Sequence, residues 1–258
     1  MPQLQRLAIT APQICDRKID LTREQQHYLN RVLRLQAGDR FIAMDGRGHW
    51  WLAVLEVRET GLFASIAEEI AVNRELPVEV TLMAALPKGN GFDEVVRQAT
   101  ELGVASIVPV TSDRTLLKPS DQKVDRWRRI AAEAAEQSER QFVPTILEPI
   151  SFDVAVKDCG QKYRYICVAR GDNRHLYDCL LGNLEPSFVG AVPPCPPPAG
   201  GELSIVIAIG PEGGWTEGEV QRAIEFGFEA VSLGSRILRA VTAPIVALSL
   251  VGAAFEKC

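Results

Sequence analysis

A change of hydrophobic period near residue 75 constrains this chain more than any other feature. Before it, short apolar runs are separated by turn residues; from Val78 onward, compact apolar runs alternate with helical stripes. Regular alternation of strand and helix implies a mainly parallel sheet covered by helices, whereas short strands in series imply a small β domain. The chain therefore reads as α/β, with a small barrel over 1–74 and a larger mainly parallel α/β domain over 75–258. A chain of 258 residues is long enough for each to bury a core.

In the first segment, Phe41 to Val57 reads as a hairpin turning at Asp45-Gly46, and Glu59-Thr60-Gly61 leads into a strand over Leu62 to Ile66. One helix interrupts the strands. Thr22 caps it, Tyr28, Val32, Leu33 and Leu35 form its apolar stripe, Arg31 and Arg34 share another face, and Gly38 ends it. In the second segment, strands are expected at Val78–Leu86, Ala105–Val110, Tyr163–Val168, Leu203–Ile209 and Phe228–Leu233. Phe92, Val95, Val96, Ala99 and Leu102 make one helical stripe, closed by Gly103; Val124, Trp127, Ile130, Ala131, Ala134 and Ala135 make another. The proline-rich stretch near 186–202 reads as a solvated insertion, because proline lacks a backbone donor and favours extended chain.

Several classes lose support from composition. Six cysteines without a CxxC pair and only three histidines support neither a metal site nor a disulfide framework. A net charge of −5 argues against a general nucleic-acid coat while allowing a local basic face. The longest apolar run, Ala243 to Phe255, falls short of the ~20 residues that span a bilayer. The N-terminus lacks the pattern of a secretory signal, so a cytoplasmic protein is expected.

Ligands of open α/β sheets bind beyond the carboxyl ends of strands, and two loops stand there. The first is Ile209-Gly-Pro-Glu-Gly-Gly-Trp-Thr, which lacks the Gly-Lys-Ser/Thr of a phosphate loop and is not a dinucleotide fingerprint. Its glycines permit close backbone approach, so a side chain at Gly213 or Gly214 would occupy ligand space. Thr216 and Glu219 form a capping box for the next helix, which Gly227 ends, while Glu212 has no structural duty visible in the sequence. The second loop is Leu233-Gly-Ser-Arg-Ile-Leu-Arg-Ala-Val-Thr-Ala-Pro. Thr242 is placed to cap the final helix, with Pro244 in its first turn. That helix is apolar nearly all round, as a packed core or a subunit interface requires.

These loops carry a resemblance. Together with His27-Tyr-Leu-Asn-Arg-Val-Leu-Arg-Leu, Asp45-Gly-Arg-Gly, Lys88-Gly, Ala99-Thr-Glu-Leu-Gly-Val and Ala134-Ala-Glu-Gln-Ser-Glu-Arg, the pair IGPEGGW and LGSRILRAVTA resembles the bacterial 16S rRNA uridine-N3 methyltransferase family of the SPOUT superfamily, in family order along the whole chain. The resemblance implies a PUA-like RNA-binding barrel, a trefoil-knotted domain, a homodimer, S-adenosylmethionine (SAM) as cofactor, no metal, and 16S rRNA or the small ribosomal subunit as partner. It implies cofactor contacts from Ala169, Gly210, Pro211, Gly213, Gly214, Leu233, Gly234, Leu238 and Thr242. Arg31 and Arg34 become candidates for RNA phosphates.

Methyl transfer to a uracil ring nitrogen needs alignment and stabilisation of charge on the flanking carbonyl oxygens, which suits an arginine. Arg239 is the first candidate, Arg6 the second, and Glu212 a carboxylate to orient them. Val241 stands where the family usually has glutamate, which motivates the alternative of a catalytically silent RNA-binding assembly factor. Ribose 2′-O-methylation and a small-molecule enzyme with a nucleotide in the Gly-rich loop are further alternatives.

Overall fold

The computed structural model describes residues 4–58, 61–72, 74–115, 119–182 and 203–256, so Glu59, Thr60 and the proline-rich stretch lie outside the described residues. The chain separates into two compact units, Met1–Arg74 with Ala135–Val143, and Glu75–Ala134 with Pro144–Cys258. A single cut after residue 74 would leave Ala135–Val143 with the wrong partner.

The first unit is a mixed six-stranded sheet built from β1 (Arg6–Ala8), β2 (Ile14–Cys15), β3 (Lys18–Asp20), β4 (Arg40–Met44), β5 (Trp50–Arg58) and β6 (Gly61–Ile70), in the order β1-β4-β5-β6-β3-β2. Only β1 and β4 pair in parallel. Leu7, Ile19, Phe41, Ala43, Ala53, Leu55, Ala64 and Ile66 come from different strands yet meet in one buried cluster, so the sheet wraps a single core. A bulge at Leu52/Ala53 lets β5 bury Trp50 and Leu52 on one side of it, then Ala53 and Leu55 on the other. Asp45 shapes the expected turn by accepting from the N–H groups of Arg47 and His49 at 2.8 and 3.1 Å.

The helix differs from its expectation. Thr22 does cap α1 (Arg23–His27), but the chain then widens into a π turn over Tyr28–Val32, with Leu33 N–H reaching the Tyr28 carbonyl at 2.9 Å. The wider turn rotates the apolar face: Leu29 is fully buried, whereas Tyr28 and Val32 are 37% and 58% exposed. Arg34 has φ +58 and lies past the end of the helix, so Arg31 and Arg34 do not share a helical face and Gly38 does not end it.

Ala135–Val143 completes this unit. Val143 N–H donates to the Gly46 carbonyl and Gly48 N–H to the Gln141 carbonyl, both at 3.0 Å. The buried Gln141 side chain donates to Gly48 O and accepts from Arg74 N–H. Glu139 receives Arg6 at 2.8 Å and Arg74 at 3.2 Å. Glycine is required opposite: Gly46 and Gly48 have positive φ, and a Cβ on either would come within 2.7 Å of Val143 or Phe142.

The second unit holds a parallel sheet of β7 (Glu79–Ala85), β8 (Ser106–Thr111), β9 (Thr145–Ile146), β10 (Ile150–Ser151), β11 (Tyr163–Cys167), β12 (Ser204–Ile209) and β13 (Glu229–Val231). Its order is β10-β8-β7-β12-β11-β13, with β9 also on β8. Continuous apolar runs such as Ile205–Ile209 are buried because helices cover both faces. These are α2 (Gly91–Glu101), α3 (Asp121–Gln137), α4 (Phe152–Lys157), α5 (Leu176–Gly182), α6 (Glu217–Glu225) and α7 (Thr242–Phe255). The stripes read for α2 and α3 are buried, except that Leu102 is half-exposed. The short β9, β10, α4 and α5 have too few residues to show a period. Among the described residues no helix is long and apolar enough to cross a membrane.

Candidate functional site

β12 ends at Ile209, where the chain doubles back: Gly214 N–H donates to the Pro211 carbonyl at 2.8 Å, and Gly214 adopts φ +69. Gly210 lies under this turn, where a Cβ would sit 3.2 Å from the Trp215 nitrogen. Trp215 is buried against Phe152 with ring centroids 4.2 Å apart, yet its indole N–H has no acceptor among the described residues. After β13, Ser232 accepts from Gly234 N–H at 3.1 Å, and Gly234 has φ +109.

The two loops and the end of β11 enclose a cavity of about 660 Å³, a size suited to a small cofactor. Ala169, Gly210, Pro211, Glu212, Gly213, Gly214, Leu233, Gly234 and Leu238 all line it. Thr242 and Arg239 do not. The Arg239 carbonyl instead accepts from Thr242 N–H and Ala243 N–H, both at 2.9 Å, as α7 starts. Val241 holds the cap position in helical conformation and Thr242 is already the first helical residue, so Thr242 is not the cap. Arg6, Arg31 and Arg34 belong to the first unit, where Arg6 pairs with Glu139 and lies 5.7 Å from the centre of the Trp50 ring.

Two residues have duties that the sequence concealed. The Glu212 carboxylate accepts from Lys88 N–H at 2.9 Å, tying the Gly-rich loop to the end of β7. Glu219, almost wholly buried, does form the capping box, taking Thr216 N–H at 2.7 Å; it also takes Asp113 N–H at 2.9 Å. That second bond fastens the turn after β8, from which Arg114 donates to the Gly213 carbonyl. A Cβ on Gly213 would meet Arg114 Cδ at 3.1 Å, so a side chain there collides with an arginine before it occupies ligand space. At Gly214 a Cβ meets nothing within 4 Å; the positive φ is what calls for glycine.

Val241 is packed on Gly91, whose missing Cβ leaves room for it: a Cβ there would lie 2.9 Å from Val241 Cγ1. Cys167 also lines the cavity, and burial pushes its thiol up to about 12. Sequence reasoning missed Arg114, Arg170 and Arg236, which line the cavity as well. The strand-end rule that selected the two Gly-containing loops would have found Arg114 too, since it follows β8.

The family model described as RNA methyltransferase domain matches residues 74–252, and one described as RNA methyltransferase PUA domain matches 21–64. Ribosomal RNA small subunit methyltransferase E of Synechocystis sp. is 45% identical over 255 residues, covering 98% of this chain and 78% of that protein. The Bacillus subtilis protein of the same name is 34% identical over 236 residues, covering 90% and 88%. Among solved structures, ribosomal RNA small subunit methyltransferase E from Neisseria gonorrhoeae bound to S-adenosyl methionine superposes with a TM-score of 0.80 at 31% identity, covering 98% of each chain.

Proposed function

Because the chain belongs to the RNA methyltransferase family, with a PUA domain ahead of its methyltransferase domain, we propose that it methylates N3 of a uridine in 16S rRNA of the small ribosomal subunit. The observation that carries this reading is the convergence of the two family loops on one cavity at the carboxyl ends of β11, β12 and β13. The cofactor is SAM, which supplies a sulfonium-bound methyl group for in-line displacement.

The cavity fits that group. Gly210 leaves no room for a side chain under the turn, the unpaired indole N–H of Trp215 offers a donor, and Glu212 and Glu217 bring negative charge to a cationic ligand. In this reading Ala169, Gly210, Pro211, Gly213, Gly214, Leu233, Gly234 and Leu238 hold the cofactor by backbone and apolar contact. Thr242 serves this reading by starting α7, whose Ala243 lines the cavity. Arg239 stabilises charge developing on the uracil carbonyl oxygens, with Arg6 as second candidate. Glu212 keeps one carboxylate oxygen on Lys88 N–H and offers the other to orient an arginine.

The N3 atom lies on the Watson–Crick edge, so the target must be unpaired or turned out of its helix. The first unit, 1–74 completed by 135–143, grips RNA, with Arg31 and Arg34 on phosphates, and the rest of 75–258 performs the transfer within a trefoil-knotted domain. A cytoplasmic homodimer belongs to the same reading. It is supported by α7, which buries Ala247, Leu248 and Val251 on one side while Ile245, Val246 and Leu250 stay half-exposed on others.

The test incubates the protein and SAM with small subunits lacking the modification, then digests the RNA for nucleoside mass spectrometry. N3-methyluridine is expected. Methyl on a ribose oxygen would refute the N3 assignment. SAM binding without product would favour the silent RNA-binding reading that Val241 motivates.

A further inference from the structure

Three arginines line the mouth of the cavity: Arg114, Arg170 and Arg236. Each is exposed, and none has an ion-pair partner among the described residues. Other surface arginines of the same unit are mixed: Arg129 and Arg239 are likewise exposed without an ion pair among the described residues, but they do not line the cavity. Arg97, Arg126, Arg128, Arg174 and Arg222 are all matched to carboxylates within 4.0 Å. What sets Arg114, Arg170 and Arg236 apart is that three unmatched guanidinium groups stand together around one opening, where their fields add.

The cofactor does not account for these charges. In SAM the sulfonium and ammonium outweigh the single carboxylate, so the bound group is a net cation, for which Glu212 and Glu217 are suited and three arginines are not. Such a cluster suits an anionic group that enters by the same opening. Guanidinium forks match phosphate oxygens in geometry and charge, and exposed arginines at a rim can take phosphates without the desolvation that a buried charge would suffer. Arg114 is also held in place, because its Nη1 donates to the Gly213 carbonyl and its turn is fastened by Glu219 to α6.

We propose that Arg114, Arg170 and Arg236 form a phosphate-binding rim that receives the RNA backbone on either side of the target nucleotide, a nucleic-acid contact on the methyltransferase unit itself. This rests on the reading of the chain as an RNA methyltransferase. It assigns part of the RNA affinity to the cavity mouth, separately from the PUA unit.

The test uses the double variant Arg170→Ala/Arg236→Ala in the full chain and leaves Arg114 intact, because Arg114 also holds Gly213. Polyuridylate binding is titrated across a salt series, and SAM binding is measured by calorimetry. Losing two single-strand phosphate contacts should flatten the log–log salt slope by about 1.4, at ~0.7 per contact. SAM affinity should change less than twofold, and Arg170→Lys/Arg236→Lys should recover the slope. An unchanged slope, or a loss of SAM affinity larger than the loss of RNA affinity, overturns the rim. Failure of the wild type to methylate any RNA would instead remove the function on which the rim depends, and that outcome is read separately on small subunits.

Discussion

Two thiols, of the buried Cys179 and the half-buried Cys167, give the clearest residue-scale consequence of the packing. Cys179 is 2% exposed in the middle of α5, and its Sγ–H donates to Glu229 Oε1 at 3.3 Å. Burial first, then that bond to the Glu229 carboxylate, pushes the thiol up from 9.0 to about 11, while burial alone pushes Cys167 up to about 12. Both groups bind their protons more tightly in the folded chain than in the unfolded one. The stability they contribute is therefore complete below pH 9 and is lost as pH rises toward 11 and 12. Each raised thiol steepens the fall by up to ~1.4 kcal/mol per pH unit in that window. Denaturant titrations at pH 8, 9, 10 and 11 should show wild type losing stability faster than Cys179→Ala, because lysines and tyrosines titrate equally in both. Parallel curves would show that Cys179 ionises in the folded chain as it does in the unfolded one. Among the cysteines of the described residues, the exposed Cys15 is the one an alkylating reagent should meet first at neutral pH.

Between elements, the contact of α2 with the start of α7 is set by Gly91 and Val241. Replacing glycine by alanine in a helix normally stabilises by about 0.5–1 kcal/mol. Here the added methyl would lie 2.9 Å from a β-branched side chain that has little rotamer freedom, and such overpacking costs about 1–3 kcal/mol. The collision outweighs the helix gain, so Gly91→Ala should lower the denaturant midpoint, and adding Val241→Ala should restore most of it. A midpoint that rises for Gly91→Ala alone would mean that α7 yields at no cost. This pair also shows where sequence reading stops. The stripe of α2, the capping box at Thr216 and the hairpin at Asp45 were legible because their partners lie within a few residues, at fixed periods. Glu212 and Lys88 meet only because β7 and β12 are neighbours in the sheet, and Gly91 and Val241 only because α2 packs on α7; no local pattern encodes either adjacency. The π turn after α1 was missed for a different reason. Its sequence fits an α-helical stripe nearly as well, and the burial of Leu29 in the sheet core decides between them.

At the scale of the molecule, the first unit owes its completeness to a segment that begins in the last turn of α3 and runs on past it. Gln141 is the element most exposed to test, since its side chain serves Gly48 O and Arg74 N–H from a buried position. Gln141→Ala removes two partly buried hydrogen bonds, each a net ~0.5–1.5 kcal/mol. The expected outcome is a lower unfolding midpoint and faster amide exchange at Gly48 and Arg74 than at Val206 in the other unit; equal exchange rates would show that water replaces the side chain at no cost. For the same reason, a fragment ending at residue 74 should be less stable than one to which a peptide spanning 135–143 is added, as thermal melts of the two would reveal. The interleaving also imposes an order in time. A ribosome adding roughly 5–20 residues per second makes the strands of the first unit early, then spends several more seconds on β7, α2, β8 and α3 before Glu139 and Gln141 emerge. During that interval the nascent sheet has Gly46 and Gly48 open and Arg6 without its carboxylate, so the part of the protein synthesised first is not the part finished first.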